Sequence, residues 1–123
     1  MKKLITYLIL AYLSFAINSI GYAQDQKNLQ DKKVLKVGAL LPLSGKFQDV
    51  GQSFLKAIQL ALGDISDKNI KIYPKDSKGN PEDAFKAAQE LQELDVSIVI
   101  GPIFYESLEK IKDLDNITFI SFT

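Results

Sequence analysis

The chain has 123 residues, enough for one domain of ordinary size. Its 46% hydrophobic content suits a globular protein, and 15 lysines balance 15 acidic residues, while Arg, His, Cys and Trp are absent. These absences exclude a Ser-His or Cys-His nucleophile pair, a zinc site of the usual N/S kind, a disulfide and a guanidinium clamp, and the even charge speaks against a nucleic-acid partner. No metal or organic cofactor is implied, and catalysis by this chain is not expected.

Lys2 and Lys3 precede an almost wholly apolar run from Leu4 to Ile17. Asn18, Ser19 and Gly21 loosen the segment, and Gly21-Tyr22-Ala23 places small residues at the two positions a signal peptidase reads. A positive start, an apolar stretch of about 7–15 residues and a small-residue exit mark a secretory signal peptide. Residues 1–23 are therefore expected to be cleaved, leaving Gln24 first and the product in the periplasm. A membrane anchor needs about 20 apolar residues, more than this run supplies. No Cys follows to carry a lipid. Residues 24–33 are polar and read as a flexible arm.

Val34 to Leu41 is a near-continuous apolar run ended by Pro42, the pattern of a strand buried on both faces of a parallel sheet. Phe54, Leu55, Ile58, Ala61, Leu62 and Ile65 recur at helical spacing and predict an amphipathic helix from about Gly51 to Ile65. Ile70, Ile72 and Pro74 alternate with Lys71, Tyr73 and Lys75, which predicts an edge strand because Pro cannot donate to a ladder. Asn80 and Pro81 open a second helix, with Glu82 and Asp83 at its positive end and Ala84, Ala87, Ala88, Leu91 and Leu94 as its apolar stripe. Val96 to Ile100 predicts a further buried strand, stopped by Gly101-Pro102. Leu108, Ile111 and Leu114 mark a short third helix, and Ile117 to Phe122 a fourth strand.

This βαβαβαβ order predicts an α/β fold, with a parallel sheet and right-handed crossovers. The edge character of the second strand gives the spatial order 2-1-3-4. The first and third strands then flank a topological switch point, and ligands of open α/β sheets bind outside the carboxyl ends of the strands there. The loops at that crevice are Pro42 to Gln48 and Gly101 to Tyr105.

In the first loop, Ser44 offers a hydroxyl, Gly45 permits close backbone approach, and the helix start behind them favours an anion. An ordinary turn uses the same residues. It is neither a P-loop nor a dinucleotide turn. Phe104 and Tyr105 follow the third strand, and we expect one to face inward and one to wall the cleft. Asp76, in the Asp76 to Asn80 turn, reads as a turn organiser before it reads as a functional carboxylate. Ser121 and Thr123 end the fourth strand at the same rim. The triplet Asn116-Ile117-Thr118 matches a glycosylation acceptor but is uninformative at a strand start.

VGALLPLSGKFQDVGQSFLKAIQLAL, DSKGNPEDAFKAAQEL, VSIVIGP and ITFISFT, in this order, resemble the type I periplasmic binding proteins. The likeness is to the leucine/isoleucine/valine-binding family and its relatives, the penicillin-binding protein activators. It runs from Val34 to Thr123. It implies two α/β lobes hinged around a small ligand, of which this chain would hold the first half of the amino-terminal lobe, as a truncated product that binds ligand weakly or not at all. It implies a solute-binding role serving the membrane subunits of an ABC transporter, with amino acids or similar small polar molecules as ligand. Ser44, Phe47 and Gln48 are the matching cleft residues after the first strand. After the third strand, amino-acid binders of this family usually carry small hydroxyl residues for the ligand carboxylate. Phe104 and Tyr105 stand there instead, which moves weight toward the activator branch, whose partner is a periplasmic cell-wall synthase. The full candidate set is Ser44, Phe47, Gln48, Phe104, Tyr105, Ser121 and Thr123.

A receiver-like phosphotransfer domain shares the length and element order, with Asp76 as acceptor. It also needs acidic residues after the first strand, where Leu41 and Pro42 stand. A flavodoxin-like flavin site lacks its hydroxyl-rich phosphate loop here.

Overall fold

The computed structural model describes residues 33–123; the signal peptide expected at 1–23 and the polar arm, up to residue 32, lie outside the described residues. Strand β1 (Leu35–Leu41) leads through a 3₁₀ turn at Gly45–Phe47 into helix α1 (Gln48–Ile65). Strand β2 (Ile70–Asp76), helix α2 (Pro81–Glu93), strand β3 (Ile98–Ile100), helix α3 (Tyr105–Ile111) and strand β4 (Thr118–Ile120) follow. The four strands form one sheet in the order β2-β1-β3-β4, with every pairing parallel. The α/β class, the element order and the strand order all match the sequence reading.

Each boundary has a local cause. Pro74 lies on the outer strand β2, in register with Ala39 of β1, where its missing N–H leaves no inner ladder broken. The Asn80 side chain accepts from the Asp83 N–H at 2.9 Å and caps α2, and Pro81 occupies the first turn. Helix α1 starts three residues earlier than its apolar stripe predicts, because the 3₁₀ turn runs directly into it. Leu114 continues the apolar spacing of α3 yet lies beyond that helix, in a turn where its N–H bonds the Ile111 carbonyl at 3.0 Å. Val96 is buried ahead of β3, not within it, held by a bond from its N–H to Leu91 O at 3.1 Å.

The two faces of the sheet are covered unequally. On one face, Leu40 and Val99 pack with Ala84, Ala87, Ala88, Leu91 and Ile111 of α2 and α3 into the fully buried core. Gly38 belongs to the same face: a Cβ there would lie 2.8 Å from Leu91 Cδ1. Among the described residues, α1 is the single helix on the other face, and Gly51 is its one buried residue. Leu60 stays 65% and Ile65 60% exposed. An apolar cavity of about 210 Å³ remains there, lined by Leu35, Val37, Ile58, Leu62, Ile72 and Ile100. Among the described residues no helix is long and apolar enough to cross a membrane.

Candidate ligand-binding rim

The carboxyl ends of β2, β1, β3 and β4 bring four loops to one rim, in that spatial order. Two glycines set how closely its backbones approach. Gly101 has φ +107°, and a Cβ on it would lie 2.2 Å from Leu40 O. The chain therefore leaves β3 tight against β1 in a conformation that L residues rarely adopt. The Gly101 N–H also bonds Ile120 O at 2.9 Å, tying the loop to β4. Gly51, in the first turns of α1, sits so near the first loop that a Cβ would lie 2.0 Å from Pro42 O.

Asp76, at the end of β2, holds the first loop in place. Its Oδ1 accepts from the backbone N–H of Leu43 at 2.8 Å, of Ser44 at 3.3 Å and of Lys78 at 2.8 Å. Its Oδ2 accepts from the Ser44 hydroxyl at 2.5 Å. Burial acts to raise the Asp76 pKa, but the bonds from the Ser44 hydroxyl and from the Lys78, Leu43 and Ser44 amides outweigh it and hold the carboxyl below its ordinary value. Asp76 thus organises its own turn through Lys78 and also clamps a loop more than thirty residues earlier, a link that sequence reading missed. Gln52 Nε2 completes the clamp by donating to Leu43 O at 3.2 Å.

Phe47 meets Phe104 with ring centroids 4.6 Å apart and planes tilted by 53°. This contact joins the first and third loops across the switch point. Gly79 lies beneath it, where a Cβ would come within 2.8 Å of Phe47 Cδ2 and 3.5 Å of Phe104 Cε2. Lys46 Nζ stands 5.4 Å from the Phe47 centroid, within cation–π range. The expectation that one of Phe104 and Tyr105 faces the core is corrected: Phe104 is half-buried against Phe47, and Tyr105, the first residue of α3, is 59% exposed. The Phe47 pairing satisfies Phe104 at the rim, so neither ring is drawn into the core.

The remaining candidates are less gathered. Gln48 is exposed at the start of α1. The Ser121 hydroxyl donates to Pro102 O at 3.1 Å and accepts from Thr123 N–H at 3.3 Å, with Thr123 Oγ1 also 3.1 Å away. The rim therefore joins Phe47 to Phe104, pins Ser44 to Asp76, places Ser121 beside the third loop, and leaves Gln48, Tyr105 and Thr123 on its exposed margin. Among the described residues no group of His, Cys, Asp or Glu could hold a metal ion.

Residues 34–123 match the family model for the periplasmic binding protein. None of the curated proteins matches the chain. Among solved structures, an ABC transporter substrate-binding protein from Sphaerobacter thermophilus superposes with TM-score 0.65 at 25% identity, covering 71% of this chain and 26% of that one. The leucine-binding protein LivK from Thermotoga maritima gives TM-score 0.66 at 18% identity, covering 72% and 27%. Full-length LpoA from Haemophilus influenzae gives TM-score 0.60 at 21% identity, covering 75% and 17%. The chain spans about a quarter of the two transporter-type structures and less of LpoA. The match over residues 34–123 and the β2-β1-β3-β4 parallel sheet place this chain in the periplasmic binding protein family, with the architecture of the type I amino-terminal lobe.

Proposed function

We propose that residues 34–123 supply ligand-contacting loops of a non-enzymatic solute-binding protein that serves an ABC-type uptake system in the periplasm. The solute is an amino acid or a similar small polar molecule, and the partners are the transporter's membrane subunits. Residues 1–23 direct export and are cleaved from the exported chain. The observation that carries this reading is the gathering of Ser44, Phe47 and Phe104 at the carboxyl ends of adjacent β1 and β3, the switch point at which open α/β sheets bind ligands. Gln48, Tyr105, Ser121 and Thr123 form its margin. Amide chemical-shift mapping of the ¹⁵N-labelled chain with single L-amino acids tests it. Weak, saturable shifts confined to residues 42–48, 101–105 and 121–123 are expected; shifts confined elsewhere refute it.

One observation favours a second reading. The Phe47–Phe104 contact fills the rim where hydroxyl residues hold a ligand carboxylate in the amino-acid binders that the sequence resembles. An aromatic pair at the rim suits a protein contact, which favours the penicillin-binding protein activator branch that the sequence also resembles. On that reading the partner is a periplasmic cell-wall synthase. Rim amides would then broaden with the synthase domain and stay silent with solutes.

A further inference from the structure

Read as sequence alone, Ser44 and the helix start behind it favour an anion. The hydrogen bonds reverse that polarity. The Asp76 carboxylate, ionised at neutral pH, has no proton to give, and serine carries a single O–H. In the 2.5 Å contact Ser44 is therefore the donor, and its proton is spent on Asp76 Oδ2. What Ser44 Oγ still offers is lone pairs, and the residue is only half-buried. Among the described residues no lysine side chain bonds Asp76: Lys75 pairs with Glu90 at 2.5 Å, Lys78 reaches Asp83 at 3.5 Å, and Lys46, in the same loop as Ser44, lies over the Phe47 ring at 5.4 Å. A solute atom that meets this corner must bring its own proton.

We propose that the Asp76–Ser44 pair is the specificity-determining corner of the rim, presenting an acceptor that selects a hydrogen-bond donor on the solute (an ammonium, amide or hydroxyl) and disfavours a carboxylate. This rests on the solute-binding reading of the same rim. Asp76 acts through Ser44 as a positioning residue. Its two oxygens divide the work: Oδ1 takes all three backbone bonds, and Oδ2 takes the hydroxyl alone.

That division makes Asp76→Asn an informative variant. An Asn with its oxygen in the place of Oδ1 keeps the three backbone bonds. Its Nδ2 then donates to Ser44 Oγ and frees the hydroxyl proton to point at a ligand. Two NMR readouts test the proposal on the whole chain, with Ser44→Ala as the second variant. Without ligand, the wild type should show a slowly exchanging, downfield Ser44 hydroxyl proton. It should vanish in both variants, while the Leu43, Ser44 and Lys78 amides stay protected in D76N. With matched probes, benzylammonium should shift rim amides at roughly tenfold lower concentration than benzoate, the discrimination one charge-assisted hydrogen bond supplies. D76N should remove or invert that preference, and S44A should weaken it although Asp76 keeps its charge. Absence of the hydroxyl signal in the wild type overturns the proposal, as does equal or better binding of benzoate, or an unchanged preference in S44A. Silence from both probes with the hydroxyl signal present overturns the solute-binding reading beneath it, while the acceptor polarity of Ser44 stands on the first readout.

Discussion

Gly51→Ala and Gly63→Ala make the same substitution in the same helix, and the structure gives them opposite signs. Glycine within a helix costs about 1 kcal/mol relative to alanine, so propensity alone favours both changes. At Gly63 nothing lies within 4 Å of the added Cβ. That variant should gain about 0.5–1 kcal/mol. At Gly51 the Cβ would lie 2.0 Å from Pro42 O and 2.6 Å from Pro42 C. Those are backbone atoms at the mouth of β1, and no rotamer change can move them aside. Relief requires a shift of more than an ångström in α1 or in the first loop, and overpacking of this kind typically costs about 1–3 kcal/mol. Taking the upper part of that range, because the clash is with backbone, the cost exceeds the propensity gain and G51A should lose up to about 2 kcal/mol net. Urea denaturation followed by far-UV circular dichroism reads both variants, with the midpoints compared at constant slope. A G51A midpoint at or above wild type would refute the claim that close backbone contact sets the approach of α1 to the rim. A G63A midpoint below wild type would refute the propensity half of the argument.

Leu91→Ala empties a fully buried position between α2 and β1 and should cost about 2–5 kcal/mol in the same urea assay. Asn80→Ala removes the cap on α2 and should cost about 1 kcal/mol; N80D should not restore wild-type stability, because the Asn80 Nδ2 that donates to Asp83 Oδ2 would become a second carboxylate oxygen. Asp76 has a folded pKa below its unfolded value of 3.8, so its contribution is present above that value and disappears as pH falls through the folded pKa. Stability measured from pH 5 downward should therefore fall less steeply in D76N than in wild type, and parallel curves would contradict the assignment.

The strand order was legible because β2 advertises its edge position through Pro74 and alternating lysines, whereas β1 is a continuous apolar run. The cap at Asn80 was legible for the same reason: its cause lies within three residues. The features that shape the rim act across much longer separations. Asp76 reaches Leu43 and Ser44, and Phe47 reaches Phe104, through contacts that no local pattern encodes. Gly79 carried a weak signal, since its place in a turn explained it fully, yet the structure also needs it beneath the aromatic pair. The end of α3 was misread because apolar residues at spacing three mark either a helix or the turn that follows it, and Leu114 is in the turn. The reading of β1 as buried on both faces holds, with Val37, Ala39, Leu40 and Leu41 buried, whereas the apolar stripe of α1 is only partly covered and Ile65 is exposed. Helical periodicity says which side of α1 turns inward, not how much of the sheet one helix can cover.

On the proposed function, solute meets this chain at the carboxyl-end rim and not at the apolar cavity beneath α1. Photo-crosslinking with a diazirine analogue of leucine, competed with excess L-leucine and read by peptide mass spectrometry, separates the two directly. Competable labelling is expected within residues 42–48 and 101–105. Competable labelling on Leu35, Val37, Ile58 or Leu62, with the rim unlabelled, would contradict it.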